Sequence, residues 1–201
     1  MVLSQLRLRG IDDERVLAAM ATVPRELFVP EERREAAYED AALPIGFDQT
    51  ISQPYMVARI CLELRLRGGE RVLDVGTGSG YQAAVLAELA DDVRSIEVIP
   101  ELAEQARRNL DEAGYGDRVH VHVGDGSRGL PDVAPFDAIA VAAAAREPPP
   151  ALLGQLVSGG TLVIPIGPPH RQLLRVYLAT PEGPADFAAV PCRFVPLVSR
   201  G

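Results

Sequence analysis

The sequence predicts an α/β fold in which N-terminal helices precede a doubly wound, mostly parallel sheet. From Arg71 onward, short β-rich runs alternate with helical patterns at the spacing of βαβ units. A glycine-rich turn follows the first of those runs, as expected where a strand enters a helix. Before Arg71 the pattern is mostly helical. The alternating segments are RVLDV, YQAAVLAELA, VRSIEV, PELAEQARRNLDEAG, RVHVHV, FDAIAV, PPALLGQL and GTLVIPI.

Length and composition favour one domain that spans residues 1–201. The chain has 201 residues, of which 47% are hydrophobic, so it can bury a substantial core. Glycine and proline fall between apolar segments, and the sequence shows no internal repeat. We expect residues 1–67 to form a helical cap that includes a substrate-side segment, and residues 68–201 to form a Rossmann-like core.

Charge and cysteine content restrict the possible partners. The net charge of −8 argues against a nucleic-acid partner. All 20 basic residues are arginine, which excludes Schiff-base chemistry and a lysine general base. No apolar run approaches the ~18 residues of a membrane span, and the N-terminus is charged, so we expect a cytoplasmic protein without a membrane partner. Cys61 and Cys192 lack the spaced partners of a disulfide framework or a metal site.

The segments before the glycine-rich turn are predicted to be helices. DDERVLAAMATV and PEERREAAYED have charge runs typical of solvated helix faces. A third helix should begin near Gln53, because Pro54 suits the first helical position. The amide and hydroxyl side chains of Gln49, Thr50 and Ser52 lie directly before it. A helix N-terminus preceded by such donors can hold an anion.

The first predicted core strand ends in LDVGTGSGYQ, which indicates a nucleotide-type cofactor. Asp74 precedes glycines at Gly76, Gly78 and Gly80, and such a turn lets a ligand approach the backbone and the helix N-terminus. A dinucleotide fingerprint would need a small residue in place of Tyr81, and a P-loop would need lysine. The loop resembles the acid-x-G-x-G-x-G loop of class I S-adenosylmethionine-dependent methyltransferases.

The next two core strands end in residues that support this interpretation. Glu97 ends the second strand at the position of a carboxylate that binds a ribose diol, and Asp125 and Gly126 follow the third strand, where they would meet adenine. Each acid, taken alone, could equally be a helix cap or a turn residue. Together they predict an S-adenosylmethionine site at the carboxyl ends of three parallel strands.

The remaining elements are less informative about chemistry. The helix after Ile99 begins at Pro100 and ends at Gly114, and RQLLRVYLA and DFAAVPCRFVPLV should form two further strands, antiparallel at least in part. His120 and His122 share one strand face, which favours packing or surface positions over metal binding. We therefore predict no metal site.

The segment after the fourth strand argues against one class of acceptor. Enzymes that methylate amino groups of DNA bases resemble one another in an Asn or Asp followed by two prolines and an aromatic residue. FDAIAVAAAAREPPP has only alanines at that point. Methylation of base amino groups is therefore disfavoured.

Several blocks resemble the protein-L-isoaspartate O-methyltransferases, in order and over nearly the whole chain. The most specific block is QTISQPYMVARI, which contains TISQP. The others are VPRELFVPEERREAAYEDAALPIG, VLDVGTGSGYQAAVLAEL, GDGS, APFDAI and RFVPLV.

The resemblance implies an enzyme that methylates the carboxylate of L-isoaspartyl residues in damaged proteins and peptides, after which the ester cyclises to a succinimide. It implies that Ser52 lies at the active site, and that the last two strands are exchanged relative to other methyltransferases. It also implies a monomer. The residues expected to contact S-adenosylmethionine are Asp74, Gly76, Thr77, Gly78, Gly80, Glu97, Asp125 and Gly126. Those expected to contact the substrate are Thr50, Ser52, Gln53, Val195, Pro196 and Leu197.

Three alternatives follow from the residues themselves. Ser52 or Gln53 could merely cap the helix that starts at Pro54. Asp48 stands where the family usually has glycine, and a carboxylate at the site would repel an anionic substrate. It could therefore mark an enzyme that tailors a biosynthetic peptide or a small-molecule acid. A donor-binding module without turnover is the non-enzymatic alternative, and the intact TISQP block argues against it.

Overall fold

The computed structural model describes residues 1–198 and has a seven-stranded central sheet. The strands are ordered β5-β4-β3-β6-β7-β8-β9, and the neighbours from β5 to β7 are all parallel. Their bounds are β3 Arg71–Val75, β4 Asp92–Glu97, β5 Val119–Val123, β6 Phe136–Val141, β7 Leu156–Ile166, β8 Gln172–Thr180 and β9 Gly183–Cys192. This arrangement confirms the predicted α/β fold with a mostly parallel sheet.

Five α-helices accompany the sheet in the described part of the chain. They are α1 Glu14–Thr22, α2 Pro54–Leu64, α3 Tyr81–Ala87, α4 Pro100–Glu112 and α5 Pro150–Leu153. No helix within residues 1–198 is both long and apolar enough to cross a membrane.

The two faces of the sheet bury different side chains, because successive residues of a strand point to opposite faces. On β3, Val72 packs with the cluster that contains residues of α1 to α4, whereas Leu73 and Val75 pack with a smaller cluster on the other face. In that smaller cluster, the only residues from a described α-helix come from the short α5. One face of the sheet thus carries most of the helical layer.

The last two strands are antiparallel, as predicted. β8 pairs with β7 and β9 pairs with β8, both in antiparallel register. These three strands lie side by side in chain order at one edge of the sheet.

The N-terminal region differs from the prediction in two places. The segment PEERREAAYED forms only a 3₁₀ helix over Glu31–Ala36 instead of an α-helix. The chain then forms a hairpin of β1 Leu43–Gly46 and β2 Gln49–Ile51, which the sequence analysis missed. Its two-residue turn is Phe47-Asp48, which lacks the Asn-Gly or Asp-Gly pair that predicts such hairpins.

Helix α2 begins as predicted, with Gln53 as its N-cap and Pro54 as its first residue. No side chain caps this helix by a hydrogen bond. The alternative in which Ser52 or Gln53 serves only as the helix cap is therefore wrong.

The hairpin turn explains what glycine would contribute at position 48. Phe47 and Asp48 have φ of 53° and 57°, in the left-handed region. This conformation at both central residues is typical of a type I′ turn, in which glycine avoids the strain of a Cβ. Asp48 is exposed at the tip of the hairpin.

We expect Asp48→Gly to raise the free energy of unfolding by about 0.5 kcal/mol, since relief of left-handed strain outweighs the greater chain entropy of glycine. Denaturant unfolding measures this change. Asp117→Gly is the matched control: Asp117 is an exposed turn residue without a positive φ, so its replacement should lower stability. Destabilisation by Asp48→Gly would contradict the assigned strain.

Candidate functional site

A cavity lies where the carboxyl ends of β3, β4 and β6 meet the β1–β2 hairpin and the C-terminal segment. Ligands of open α/β sheets bind at this edge. The lining residues are Gln49, Thr50, Ile51, Ser52, Val57, Val75, Gly76, Thr77, Gly78, Ser79, Tyr81, Gln82, Ile96, Glu97, Val98, Ile99, Gly126, Ala142, Ala143, Val195, Pro196, Leu197 and Val198.

The glycine-rich turn forms one wall of the cavity, as the sequence analysis predicted for Gly76, Thr77 and Gly78. Gly76, Gly78 and Gly80 all have positive φ, which permits the tight path from β3 into α3. Gly80 lies behind the wall, where a Cβ would stand 3.1 Å from Leu110 of α4. It therefore allows close helix packing and is not among the lining residues.

Glu97 joins the end of β4 to the glycine-rich turn. Its carboxylate accepts the Gly78 N–H at 2.9 Å and the Ile99 N–H at 3.1 Å, one at each oxygen. The side chain is almost fully buried, yet it lines the cavity. Each carboxylate oxygen keeps a second lone pair, so Glu97 can accept further hydrogen bonds from a ligand.

Asp74, a predicted cofactor contact, lies beneath the turn and is not among the residues that line the cavity. It is completely buried and accepts hydrogen bonds of 2.7 Å from Gln82 Nε2 and Ser95 Oγ. Ser95 Oγ lies 2.6 Å from Thr77 Oγ1, so the network continues into the turn. Burial raises the pKa of Asp74 to about 6, against the lowering effect of these hydrogen bonds.

Gln82 is a site residue that the sequence analysis missed. Its Nε2 is committed to Asp74, which directs Oε1 away from that carboxylate. Oε1 is buried and has no hydrogen-bond partner within the described residues, although the side chain lines the cavity. Gln82 is the second residue of α3 and lies 8 positions after Asp74, and this spacing was the signal that could have identified it.

Gly126 lines the cavity at the end of the segment that follows β5, as predicted, and Asp125 does not. A Cβ at Gly126 would lie 2.5 Å from Val75 Cγ1, so only glycine fits there. The Asp125 carboxylate accepts hydrogen bonds from the Ser127 N–H and hydroxyl and caps the 3₁₀ turn Gly126–Arg128. Its position therefore supports the backbone of Gly126.

The opposite wall comes from the hairpin and its exit. Thr50 and Ser52, which are predicted substrate contacts, line the cavity together with Gln49, which was not among the predicted site residues. Gln53 does not line it, because its Nε2 donates to the Asp40 carbonyl at 3.0 Å. Its predicted role as a substrate contact stays a prediction.

Arg25 anchors this wall from behind and was not identified from the sequence. It is completely buried, and its Nη2 donates to the Ser52 carbonyl at 2.8 Å while Nε donates to the Ala37 carbonyl at 2.7 Å. Its guanidinium lies 4.7 Å from the centre of the Tyr81 ring. Burial lowers the pKa of Arg25. The residue thus connects the N-terminal cap, Ser52 and the start of α3.

The C-terminal segment closes the third side of the cavity. Val195, Pro196 and Leu197, the predicted substrate contacts of this segment, line it. The Ala144 N–H donates to the Val195 carbonyl at 2.7 Å, and the Leu197 N–H donates to the Ala144 carbonyl at 2.8 Å. Backbone pairing therefore holds this segment against the loop that follows β6.

The described cavity lining has one carboxylate, Glu97, and no arginine or histidine. Asp48 lies outside it, at the exposed hairpin tip. Within residues 1–198, no cluster of three histidine, cysteine or acidic side chains could hold a metal ion. His120 and His122 of β5 line a separate pocket together with Arg94 and Arg107.

Comparisons with known proteins agree with this geometry. The model of the family described as protein-L-isoaspartate(D-aspartate) O-methyltransferase matches residues 1–201. A protein-L-isoaspartate O-methyltransferase of Opitutus terrae is 55% identical over 197 residues, which cover 98% of this chain and 84% of that protein.

Two solved structures are similar to this chain over nearly its full length. One, from Plasmodium falciparum, is assigned as a protein-L-isoaspartate O-methyltransferase in complex with S-adenosyl-L-homocysteine. It has a TM-score of 0.85 and 27% identity, over 99% of this chain and 97% of that one. Another protein-L-isoaspartate O-methyltransferase has a TM-score of 0.84 and 29% identity over 94% of this chain, which spans only 62% of the length of that structure. This chain belongs to the protein-L-isoaspartate(D-aspartate) O-methyltransferase family.

Proposed function

We propose that this protein transfers a methyl group from S-adenosylmethionine to the carboxylate of L-isoaspartyl residues in proteins and peptides, and so initiates their repair. One observation carries the proposal: a single cavity brings Thr50 and Ser52 of the TISQP block opposite the glycine-rich turn and Glu97. A methyl donor and an acceptor carboxylate can therefore meet inside it. The family and its S-adenosylmethionine dependence support the same conclusion.

One wall of the cavity presents hydrogen-bond acceptors, and these fit S-adenosylmethionine, which is positively charged and carries a ribose diol. Glu97 would accept hydrogen bonds from the two ribose hydroxyls, and the unpartnered Gln82 Oε1 is available to a donor N–H. The backbone of Gly76 and Gly78 would line the path of the ligand, and Gly126 would lie beside its base. Asp74 would act indirectly, through Gln82, Ser95 and Thr77.

Ser52 and Thr50 would position the acceptor. When bound, S-adenosylmethionine would supply an electrophilic methyl carbon on a sulfonium, so that an O–C bond to the acceptor carboxylate forms as the C–S bond breaks and S-adenosyl-L-homocysteine leaves. A side-chain carboxylic acid has a reference pKa near 4, so the acceptor is already ionised at neutral pH and no general base is required. The hydroxyl of Ser52 would therefore donate a hydrogen bond and would not act as a nucleophile.

The protein's contribution is then alignment and exclusion of water. The hairpin wall, the glycine-rich turn and the segment Val195–Leu197 enclose the cavity from three sides. Because Asp48 lies outside the lining, it gives no support to a changed acceptor, and the repair reaction is favoured over peptide tailoring.

The family implies protein substrates. A monomeric state, the lack of a nucleic-acid partner, a cytoplasmic location and the division at residue 67 remain predictions from the sequence.

Substrate choice can be tested with labelled S-adenosylmethionine and two peptides that differ only in isoaspartate against aspartate. We expect label to enter the isoaspartyl peptide as a base-labile ester and the aspartyl peptide to remain unlabelled. Equal labelling of both peptides, or of neither, would overturn the proposed function.

Glu97→Gln should weaken binding of S-adenosyl-L-homocysteine about tenfold or more, because the loss of a charge-assisted hydrogen bond costs about 1.5–3 kcal/mol. Isothermal titration calorimetry measures this loss. Glu63→Gln is the matched control, since Glu63 is also buried but pairs with Arg59 outside the cavity lining. If both variants bind with wild-type affinity, Glu97 does not hold the donor.

Ser52→Ala should lower turnover of the isoaspartyl peptide about tenfold or more, because it removes the hydroxyl that donates a hydrogen bond to the substrate carboxylate. A hydrogen bond to a charged group is worth about 1.5–3 kcal/mol. Donor affinity should stay within a few-fold, because Ser52 lies on the opposite wall from Glu97. Steady-state kinetics and calorimetry make the two measurements. Ser4→Ala, at an exposed site in the N-terminal segment, is the control. Unchanged turnover in Ser52→Ala would remove Ser52 from the proposed mechanism.

A further inference from the structure

The acceptor of the proposed reaction is an anion, yet the described cavity lining contains no cationic side chain. Its one acidic side chain is Glu97. A carboxylate that enters this cavity loses water and, without a positive charge nearby, would bind weakly. Apart from the sulfonium of the donor and the N-terminus of α2, a favourable charge can come only from a side chain behind the wall.

Arg25 is a cationic side chain that donates a hydrogen bond directly to the backbone of Ser52. Its side chain is 0% exposed, and its Nη2 lies 2.8 Å from the Ser52 carbonyl oxygen. The guanidinium also faces the ring of Tyr81, which lines the cavity. Only one layer of protein thus separates this charge from the cavity.

Among the described residues, Arg25 has no carboxylate within ion-pair distance. The nearby Asp40 pairs with Arg9 instead. Nη1 of Arg25 is buried and has no hydrogen-bond partner within the described residues. A buried arginine is normally paired, because an uncompensated buried charge is costly. Two backbone carbonyls and the Tyr81 ring compensate the charge of Arg25 only in part, so a substrate carboxylate can add to this compensation.

We propose that Arg25 is a positioning and specificity-determining residue, which holds Ser52 through its carbonyl and supplies the positive potential that the substrate carboxylate meets. This inference rests on the proposed function, since it concerns the same acceptor. A charge acts across a protein layer because buried charges are weakly screened by solvent and salt. Arg25 thus has two effects, one geometric and one electrostatic.

The two effects can be separated with two peptides in the presence of saturating S-adenosyl-L-homocysteine. One peptide carries the isoaspartyl carboxylate, and the other carries a carboxamide in its place. For Arg25→Met we expect affinity for the carboxylate peptide to fall about tenfold to thirtyfold. Coulomb's law gives a loss of this size for removal of a unit charge about 8 Å from the carboxylate, in a medium of dielectric constant about 20. Affinity for the carboxamide peptide should change less than threefold.

Two further variants keep the test decisive. Arg25→Gln keeps an amide that can donate to the Ser52 carbonyl and removes the charge, so it should lose the same preference for the carboxylate peptide even if Arg25→Met does not fold. Arg25→Lys keeps the charge but not the planar fork, so it should keep the carboxylate preference and lose turnover through misplacement of Ser52. Leu17→Ala, a buried substitution in α1, controls for destabilisation of the cap alone.

A purely structural role for Arg25 would lower the affinity of both peptides equally in the methionine and glutamine variants, and this result would overturn the inference. Wild-type carboxylate preference in Arg25→Met or Arg25→Gln, which both lack the charge, would overturn its electrostatic part. If instead the wild-type protein does not distinguish isoaspartyl from aspartyl peptides, the proposed function has failed. Donor affinity, read by calorimetry, should stay within threefold in every variant that folds.

Discussion

A carboxylate buried beneath the glycine-rich turn is the constraint on which the donor side of the site depends. Asp74 has no contact with solvent, so its oxygens must find donors inside the protein, and they find them in Ser95 of β4 and Gln82 of α3. One side chain thereby fixes the relative positions of two strands and a helix. Loss of either donor would leave a buried carboxylate partly unsatisfied, which costs more than one ordinary hydrogen bond.

The network beneath the turn also determines which groups face the cavity. Because Asp74 takes the Gln82 amide nitrogen, the amide oxygen is directed elsewhere, and Thr77 is held through Ser95. The backbone N–H of Gly78 is directed to Glu97. Asp74, which the sequence suggests as a ligand contact, thus orients the side chains of Gln82 and Thr77 that line the cavity.

The substrate side depends on a buried group of the opposite charge. Arg25 binds two backbone carbonyls, from Ala37 and Ser52, and packs on Tyr81 at the start of α3. Arg25 therefore connects the N-terminal cap to α3, and Asp74 contacts the same helix through Gln82. The two walls of the cavity are held in place by one buried anion and one buried cation, and a reaction that joins a cationic donor to an anionic acceptor requires this kind of alignment.

The sequence by itself determined the order of strands and helices in the core, the glycine-rich turn, Glu97 at the end of its strand and the start of α2, because periodicity, glycine spacing and proline position are local properties of the chain. The role of Ser52 came from the resemblance to a family. Only the tertiary structure decided that Asp74, Gly80, Asp125 and Gln53 support the cavity from behind, while Gln49 and Gln82 line it. It also revealed the hairpin, whose turn residues carry no local signal, and the burial of Arg25. The direction of a polar side chain and the atoms within about 3 Å of it depend on segments that are distant in sequence. A local sequence pattern therefore cannot predict them.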